Sequence, residues 1–167
     1  MSQDKIIDFT KRGINSLEIG NNVTLCMKLK PFSMHPEKEN FIFNQQTFNF
    51  YFLDSGWDYR LQNGNKIQNV FFTVDTQNII QAITVFLSDN TNKFCNDLDS
   101  IFGNKSLKAT TGIGEVDTGT KYLWVTNYGI NVFLSELYIN SKKSIIQVQI
   151  YSNKYSAADL DIYLISN

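Results

Sequence analysis

The chain has 167 residues, of which 43% are hydrophobic and 14% aromatic, and its formal net charge is -1. This length fits one domain with a sizeable core, and the composition excludes an intrinsically disordered chain. The near balance of acidic and basic residues gives no broad positive field, which argues against nucleic acid or an anionic membrane as a partner. We therefore predict a single domain over residues 1–167.

The sequence also lacks the patterns of a membrane or exported protein. No stretch approaches the roughly 20 apolar residues of a membrane helix, and the first residues, MSQDKIIDFTKRGINS, contain no apolar signal-peptide core. The two cysteines, Cys26 and Cys95, are far apart in sequence and match no metal-ligand spacing and no disulfide framework. These observations predict a cytoplasmic protein.

Residues 1–20 are predicted to form an N-terminal helix followed by a turn. Apolar residues recur at helical spacing on one face, at Ile6, Ile7, Ile14 and Leu17. Gly13 opposes this interpretation, because glycine inside a helix costs about 1 kcal/mol relative to alanine. The turn is expected at residues 20–22, where a glycine precedes two asparagines.

Strands are predicted over the next part of the chain. Apolar and polar residues alternate over residues 23–30, which is typical of a half-buried strand, and Pro31 is expected to end it. Residues 41–43 and 47–53 are rich in phenylalanine and also favour strands. Asn63-Gly64 predicts a tight turn.

The strongest secondary-structure signals lie in the middle of the chain. Residues 69–74 and 79–87 are rich in Val, Ile, Phe and Thr and flank a polar turn, so they predict a β-hairpin. A helix is predicted after this hairpin, with Asp89 or Thr91 as its cap and Gly103 at its end. Its apolar stripe consists of Phe94, Leu98, Ile101 and Phe102.

After this helix, residues 104–120 are rich in Gly, Thr and Ser and predict a long mobile loop. A strand over residues 121–126 and a second hairpin, residues 130–139 with 144–151, are expected next. Residues 156–166 are predicted to form a final helix, which Ser156 can cap, and the alternative is a last strand. The predicted fold class is therefore α+β, with a mainly antiparallel sheet, an N-terminal helix and a helix after each of the two hairpins.

The two hairpins resemble each other in sequence. The residues NVFF and IIQAI of the first hairpin correspond to NVFL and IIQV of the second. We hypothesise that the domain duplicates a unit of several strands followed by one helix. The alternative is that two hairpins of similar composition look alike by chance.

The sequence shows no catalytic constellation. His35 is the only histidine, and its polar loop before Pro36 indicates an exposed residue. Neither Cys26 nor Cys95 stands beside a histidine. The run GIGEVDTG lacks the lysine of a P-loop and the strand-then-helix context of a dinucleotide site. We therefore predict no catalytic residue, no metal site and no cofactor.

One short segment combines the residue types of a binding surface. Trp, Tyr and Arg are enriched at binding hot spots, because they bring a large contact area and a hydrogen-bonding end. The segment contains Trp57, Asp58, Tyr59 and Arg60. The alternative is that its aromatic side chains fold back over the core while the charged ones face solvent.

By elimination, we predict a non-catalytic protein-binding protein, such as an inhibitor or a toxin-neutralising immunity protein, that covers its partner's active surface. Tyr128 would add an aromatic anchor, and Glu115 and Asp117 would face a basic site on the partner. The alternative is a small-ligand-binding protein with an aromatic-lined cavity. The thirteen phenylalanines and the strand over residues 121–126, which has no polar face, suggest that alternative.

Overall fold

Antiparallel β-structure dominates the protein. The structure, a computed structural model, describes residues 5–25, 29–32, 41–43, 46–53, 59–62, 64–87, 94–113, 117–139 and 142–155. Its strands are β1 (Lys5–Ile7), β2 (Gly13–Ile14), β3 (Leu17–Glu18), β4 (Leu29–Phe32), β5 (Phe41–Phe43), β6 (Gln46–Leu53), β7 (Tyr59–Leu61), β8 (Ile67–Val74), β9 (Ile80–Leu87), β10 (Leu107–Ile113), β11 (Asp117–Val125), β12 (Ile130–Ile139) and β13 (Lys142–Ser152). Within the described residues there is one α-helix, α1 (Phe94–Phe102), and a 3-10 helix at Val23–Leu25.

The main sheet has the strand order β10-β11-β12-β13-β9-β8-β6-β4, with β5 also paired to β6. All of these pairs are antiparallel. The two predicted hairpins lie side by side at its centre, because β9 pairs with β13 and places Val85 opposite Val148. Two smaller sheets are separate from it in their strand pairing, a parallel pair of β1 with β7 and an antiparallel pair of β2 with β3.

The hairpin of β8 and β9 shows how the sequence forms these elements. Asp75 Oδ1 accepts hydrogen bonds from the backbone N–H groups of Gln77 at 2.9 Å and Ile79 at 3.0 Å. Asn78 adopts a left-handed conformation with φ of 61°, which asparagine tolerates better than most residues. The polar turn therefore joins two buried strands, which confirms the predicted hairpin.

One face of the main sheet carries the core, and α1 packs on it. Alternate residues of the central strands, including Val85 and Val148, share one buried cluster with Phe94, Leu98 and Phe102 of the helix. Gly103 follows in a left-handed conformation with φ of 88°, and its N–H donates to the Asp99 carbonyl at 2.9 Å. This is a glycine helix end, and it confirms the predicted stripe and stop.

The opposite face of the central strands is more polar. Thr84 and Gln149 are almost fully buried there, and Gln149 Nε2 lies 3.4 Å from Thr84 Oγ1. The rings of Phe71 and Phe86 meet edge to face at 5.9 Å on neighbouring strands. A buried amide beside a hydroxyl among aromatic side chains distinguishes this face from the aliphatic face under α1.

The predicted α+β class is wrong, beginning with the N-terminal helix. Residues 5–18 form β1, β2 and β3 instead. A Cβ atom at Gly13 would lie 2.1 Å from the Leu17 carbonyl oxygen, so the close pairing of β2 with β3 requires glycine there. The helical spacing of isoleucines was misleading because Ile7 pairs with Leu61, far away in the sequence.

The predicted loop over residues 104–120 is also wrong. Most of it forms β10 and the start of β11, which pair from Leu107 opposite Leu123 to Ile113 opposite Asp117. The threonines of this segment favour a strand, and pairing with β11 satisfies its backbone hydrogen-bonding groups. Its content of Gly, Thr and Ser alone suggested an irregular loop. Residues 114–116 lie outside the described residues.

Two further expectations need correction. A 3-10 helix replaces the start of the strand predicted at residues 23–30, since Asn22 Oδ1 accepts hydrogen bonds from the Thr24 N–H and hydroxyl. Pro31 does not end β4 but lies within it, opposite Tyr51 of β6. Proline is tolerated there because β4 ends the strand order of the main sheet.

The helix predicted from Ser156 lies outside the described residues, and so do the proposed helix caps Asp89 and Thr91. The duplicated strands-then-helix unit is not found among the described residues, where α1 follows the first hairpin and β13 ends in a turn. Among those residues, no helix is both long and apolar enough to cross a membrane.

Candidate functional site

A cleft of about 370 Å³ lies where β1, β7 and α1 meet. It is lined by Ile7, Asp8, Phe9, Leu61, Gln62, Phe94, Asp97, Leu98, Ser100 and Ile101. Six of these side chains are apolar or aromatic, and the others supply two carboxylates, an amide and a hydroxyl. Such an apolar depression with a few polar groups is the usual form of a binding site.

One wall of the cleft comes from the parallel pairing of β1 with β7. Ile7 lies opposite Leu61, and both side chains are buried. The short β7 strand is followed by a turn in which the Gly64 N–H donates to the Leu61 carbonyl at 2.8 Å, and φ of Gly64 is 89°. A left-handed glycine at this turn brings the chain back toward β8 and leaves Gln62 at the rim.

A second wall is the segment that follows β1. The Asp8 N–H donates to Asn15 Oδ1 at 2.9 Å, and the Asn15 N–H donates to the Asp8 carbonyl at the same distance. Asp8 is exposed, while the neighbouring Phe9 ring lies 6.2 Å from the Phe94 ring of α1. The two hydrogen bonds between Asp8 and Asn15 therefore hold a carboxylate at the mouth and an aromatic ring inside.

The third wall is one side of α1. Phe94 and Leu98 are buried at the base of the cleft, and Ile101 and Asp97 are partly exposed beside it. Positions 94, 97, 98 and 101 are neighbours on a helix surface because they are three or four residues apart. One continuous strip of the helix thus faces β1 and β7.

The other side of α1 is fastened to the main sheet. Asp99 Oδ1 accepts a hydrogen bond of 2.8 Å from Nε1 of Trp124, which is fully buried, and Asp99 Oδ2 lies 2.7 Å from Lys105 Nζ. Burial alone would raise the pKa of Asp99, but the hydrogen bonds from Lys105 and Trp124 outweigh it and hold that pKa below its ordinary value. The bond with Asp99 correspondingly raises the pKa of Lys105. We call this group, Asp99, Lys105 and Trp124, the helix anchor.

Cys95 lies beside the helix anchor rather than in the cleft. It is partly exposed, and burial raises the pKa of its thiol despite the opposing effect of the Lys105 ammonium. A raised pKa keeps the sulfur in its less nucleophilic thiol form at neutral pH. His35 and Cys26 lie outside the described residues.

The predicted binding residues are only partly placed. Tyr59 and Arg60 form β7 and are half-buried, so they support the wall that carries Leu61. Tyr128 is 39% exposed in the turn between β11 and β12, where Lys11 Nζ lies 5.1 Å from the centre of its ring. Asp117 begins β11. Trp57, Asp58 and Glu115 lie outside the described residues, and a role in binding stays a prediction for all seven.

Sequence reasoning missed most of the cleft. Phe94, Leu98 and Ile101 were recognised as the apolar stripe of a helix, but nothing local showed that one edge of this stripe remains open. Ile7 was assigned to a helix, because its pairing with Leu61 of β7 spans more than fifty residues of sequence, and Phe9 was left without a role. The β1 strand itself is only three residues long, too short to give a clear strand pattern in the sequence.

In the described part of the chain, no group of three or more His, Cys, Asp or Glu side chains is placed to hold a metal ion. No family model, curated protein or solved structure matches the chain. The chemistry of the cleft is therefore argued from its own residues.

Proposed function

We propose that this protein binds another protein and covers its active surface, as an inhibitor or a toxin-neutralising immunity protein does, with the cleft as the anchor point. The observation that carries the proposal is the preformed cleft of about 370 Å³ between β1, β7 and α1. Binding energy in protein interfaces concentrates where a side chain of one partner fills a pocket of the other. The cleft offers such a pocket.

The residues of the cleft indicate what the partner presents. An aliphatic or aromatic side chain of the partner would contact the partly exposed Phe9 and Ile101 that line the cleft. The exposed Asp8 carboxylate at its mouth favours a lysine or arginine next to that apolar residue. The proposed partner surface is therefore an apolar side chain flanked by a basic one.

The helix anchor supports this proposal by keeping the cleft in shape. Because Asp99 is bonded to Trp124 and Lys105, the opposite side of α1 is held against the main sheet. A wall that is already ordered loses little conformational entropy when a partner binds. The predicted cytoplasmic location is part of the same proposal and rests on sequence alone.

A second candidate function is the binding of a small ligand in the same cleft. Its volume lies within the range of small-molecule sites, which begins at roughly 300 Å³. Phe9 and Phe94 are aromatic, and four of the ten lining residues are polar. Under this reading the ligand would be an apolar molecule with a positively charged end.

Two variants on the same helix test the proposal. Ile101→Glu places a charge in the cleft, whereas Asn96→Glu places the same charge on an exposed position of α1. The full chain, tagged and recovered from its native cells, is expected to retain a stoichiometric protein with the wild type and with Asn96→Glu, and to lose it with Ile101→Glu.

Two other outcomes of the same experiment would contradict the proposal. Recovery of no stoichiometric protein, or equal recovery by Ile101→Glu, would overturn protein binding through the cleft. A small molecule that native mass spectrometry finds on the wild type but not on Ile101→Glu would instead establish the second candidate.

A further inference from the structure

The two ends of the main sheet differ in how they are protected. A terminal strand presents backbone N–H and C=O groups that can pair with another strand, and proteins usually block such edges with proline, charge or bulges. At one end, β4 contains Pro31, which has no N–H to offer. At the other end, the seven-residue β10 contains no proline and a single charged residue, Lys108.

The single charge on β10 is directed toward its own sheet. Lys108 lies directly opposite Tyr122 of β11, and Lys108 Nζ lies 5.5 Å from the centre of the Tyr122 ring. This is within the distance of a cation–π contact. The residue type that commonly guards an edge is therefore engaged with the neighbouring strand, and within the described residues β10 pairs on one side only.

The sequence of β10 is complementary to itself in an antiparallel arrangement. Centring the twofold axis on Thr110 places Thr110 opposite its own copy, with these pairs beside it: Leu107 with Ile113, Lys108 with Gly112, and Ala109 with Thr111. Apolar residues then meet at both ends, threonines meet at the centre, and no lysine faces a lysine. Matched pairs of this kind stabilise antiparallel strands, whereas like charges directly opposite each other destabilise them.

We propose that two copies of this chain pair through β10 in an antiparallel, twofold-symmetric manner, which joins their main sheets into one continuous sheet. A twofold interface uses the same surface on both partners, which is what the self-complementary register supplies. The contact consists mainly of backbone hydrogen bonds along seven residues, so it is smaller than a typical permanent dimer interface and depends on protein concentration. The proposal does not rest on the function of the cleft.

Charge exchange at the symmetry axis tests the pairing. Thr110→Asp and Thr110→Lys each place like charges opposite each other, so sedimentation equilibrium should give the mass of a single chain for either variant alone. An equimolar mixture of the two variants places opposite charges there and should restore the doubled mass. The measured mass of the wild type should increase from that of one chain to that of two chains as its concentration rises.

Matched controls use Thr76, an exposed threonine in the turn between β8 and β9. Thr76→Asp and Thr76→Lys carry the same charges and should dimerise like the wild type. A wild type that keeps the mass of one chain at every concentration would overturn the proposal. A dimer that both Thr110 variants leave intact would also overturn it, because the contact would then lie elsewhere.

A measurement on the wild type alone covers the case in which the Thr110 variants fail to fold. Amide hydrogen exchange of residues 107–113 should slow as protein concentration rises, while exchange in the turn at residues 75–78 should stay constant. Exchange of residues 107–113 that is independent of concentration would contradict pairing through β10.

Discussion

The two sides of α1 illustrate two different uses of one helix. On one side, Asp99 is hydrogen-bonded to Trp124 and ion-paired with Lys105, so the helix anchor holds this side against the main sheet. On the other side, Asp97 and Ile101 face β1 and β7 across a cleft of about 370 Å³. The residues on the two sides alternate along the same two turns, so nine residues provide both a fixed attachment and an open surface.

The difference between the sides bears on the recognition role proposed for the open one. A short helix packed only by its buried stripe can shift or rotate, and the anchor removes this freedom by adding directional bonds on one side. The side chains that line the cleft are then held in place before any partner arrives, which lowers the entropic cost of binding. Stability should therefore depend on the anchor, and recognition on the cleft.

The largest effect is expected from removing the indole of the anchor. Trp124→Ala deletes a fully buried side chain and should lower the free energy of unfolding by about 3–5 kcal/mol. Urea denaturation measures this change. The neighbouring Val125 is 59% exposed, and Val125→Ala should change stability by less than about 0.5 kcal/mol. Equal losses for the two variants would show that the Trp124 side of α1 is not specially anchored.

A smaller loss is expected from the carboxylate. Asp99→Ala leaves the buried Trp124 Nε1 without its acceptor and should cost about 1–3 kcal/mol, since a buried donor that loses its partner retains its desolvation penalty. Asn96→Ala, at an exposed position of the same helix, is the control. Asp99→Ala and Asn96→Ala variants of equal stability would contradict the assignment of Asp99 to the anchor.

The anchor also predicts a pH dependence. Because the folded-state pKa of Asp99 lies below its ordinary value of 3.8, the contribution of Asp99 is complete above that value and is lost as the pH falls through the folded pKa. Asp99→Asn should therefore be less stable than the wild type at neutral pH, with the difference shrinking below about pH 4. A difference that stays constant down to the acid limit would refute the linkage.

The smallest effect concerns the mouth of the cleft. Asp8 is exposed, so Asp8→Asn should leave the free energy of unfolding within about 0.5 kcal/mol of the wild type. Binding of a basic partner should weaken by about 0.2–1 kcal/mol, and the loss should vanish at high salt because the interaction is screened. Isothermal titration calorimetry at low and high ionic strength separates the two contributions. A loss that persists unchanged in high salt would exclude a charge effect.

The sequence predicts the local parts of this architecture and misses the parts that depend on distant pairing. The turn at Asp75 and the stripe of Phe94 and Leu98 are confirmed, because each depends on residues a few positions apart. The β1 strand could not be predicted, because it is stabilised by β7 and not by its own three residues. β10 was missed for a different reason: its partner β11 is the next strand in the sequence, but the Gly-, Thr- and Ser-rich composition of residues 104–120 resembles that of a loop.

The candidate site follows the same rule. The helical pattern correctly predicted that Phe94, Leu98 and Ile101 form an apolar stripe. It does not show which part of that stripe the rest of the chain leaves uncovered. The opening depends on where the segment after β1 runs. That path is set by the pairing of Asp8 with Asn15 and by Gly13, where a Cβ atom would lie 2.1 Å from the Leu17 carbonyl oxygen.

Hydrogen exchange of the full chain, with and without the proposed protein partner, tests the central claim most directly. Binding at the cleft should slow exchange in residues 7–9, in residues 61–62 and along α1, and should leave the turn at residues 75–78 unchanged. Protection confined to other parts of the chain, with the backbone of β1, β7 and α1 exchanging as in the free protein, would contradict the claim that the cleft is the recognition site.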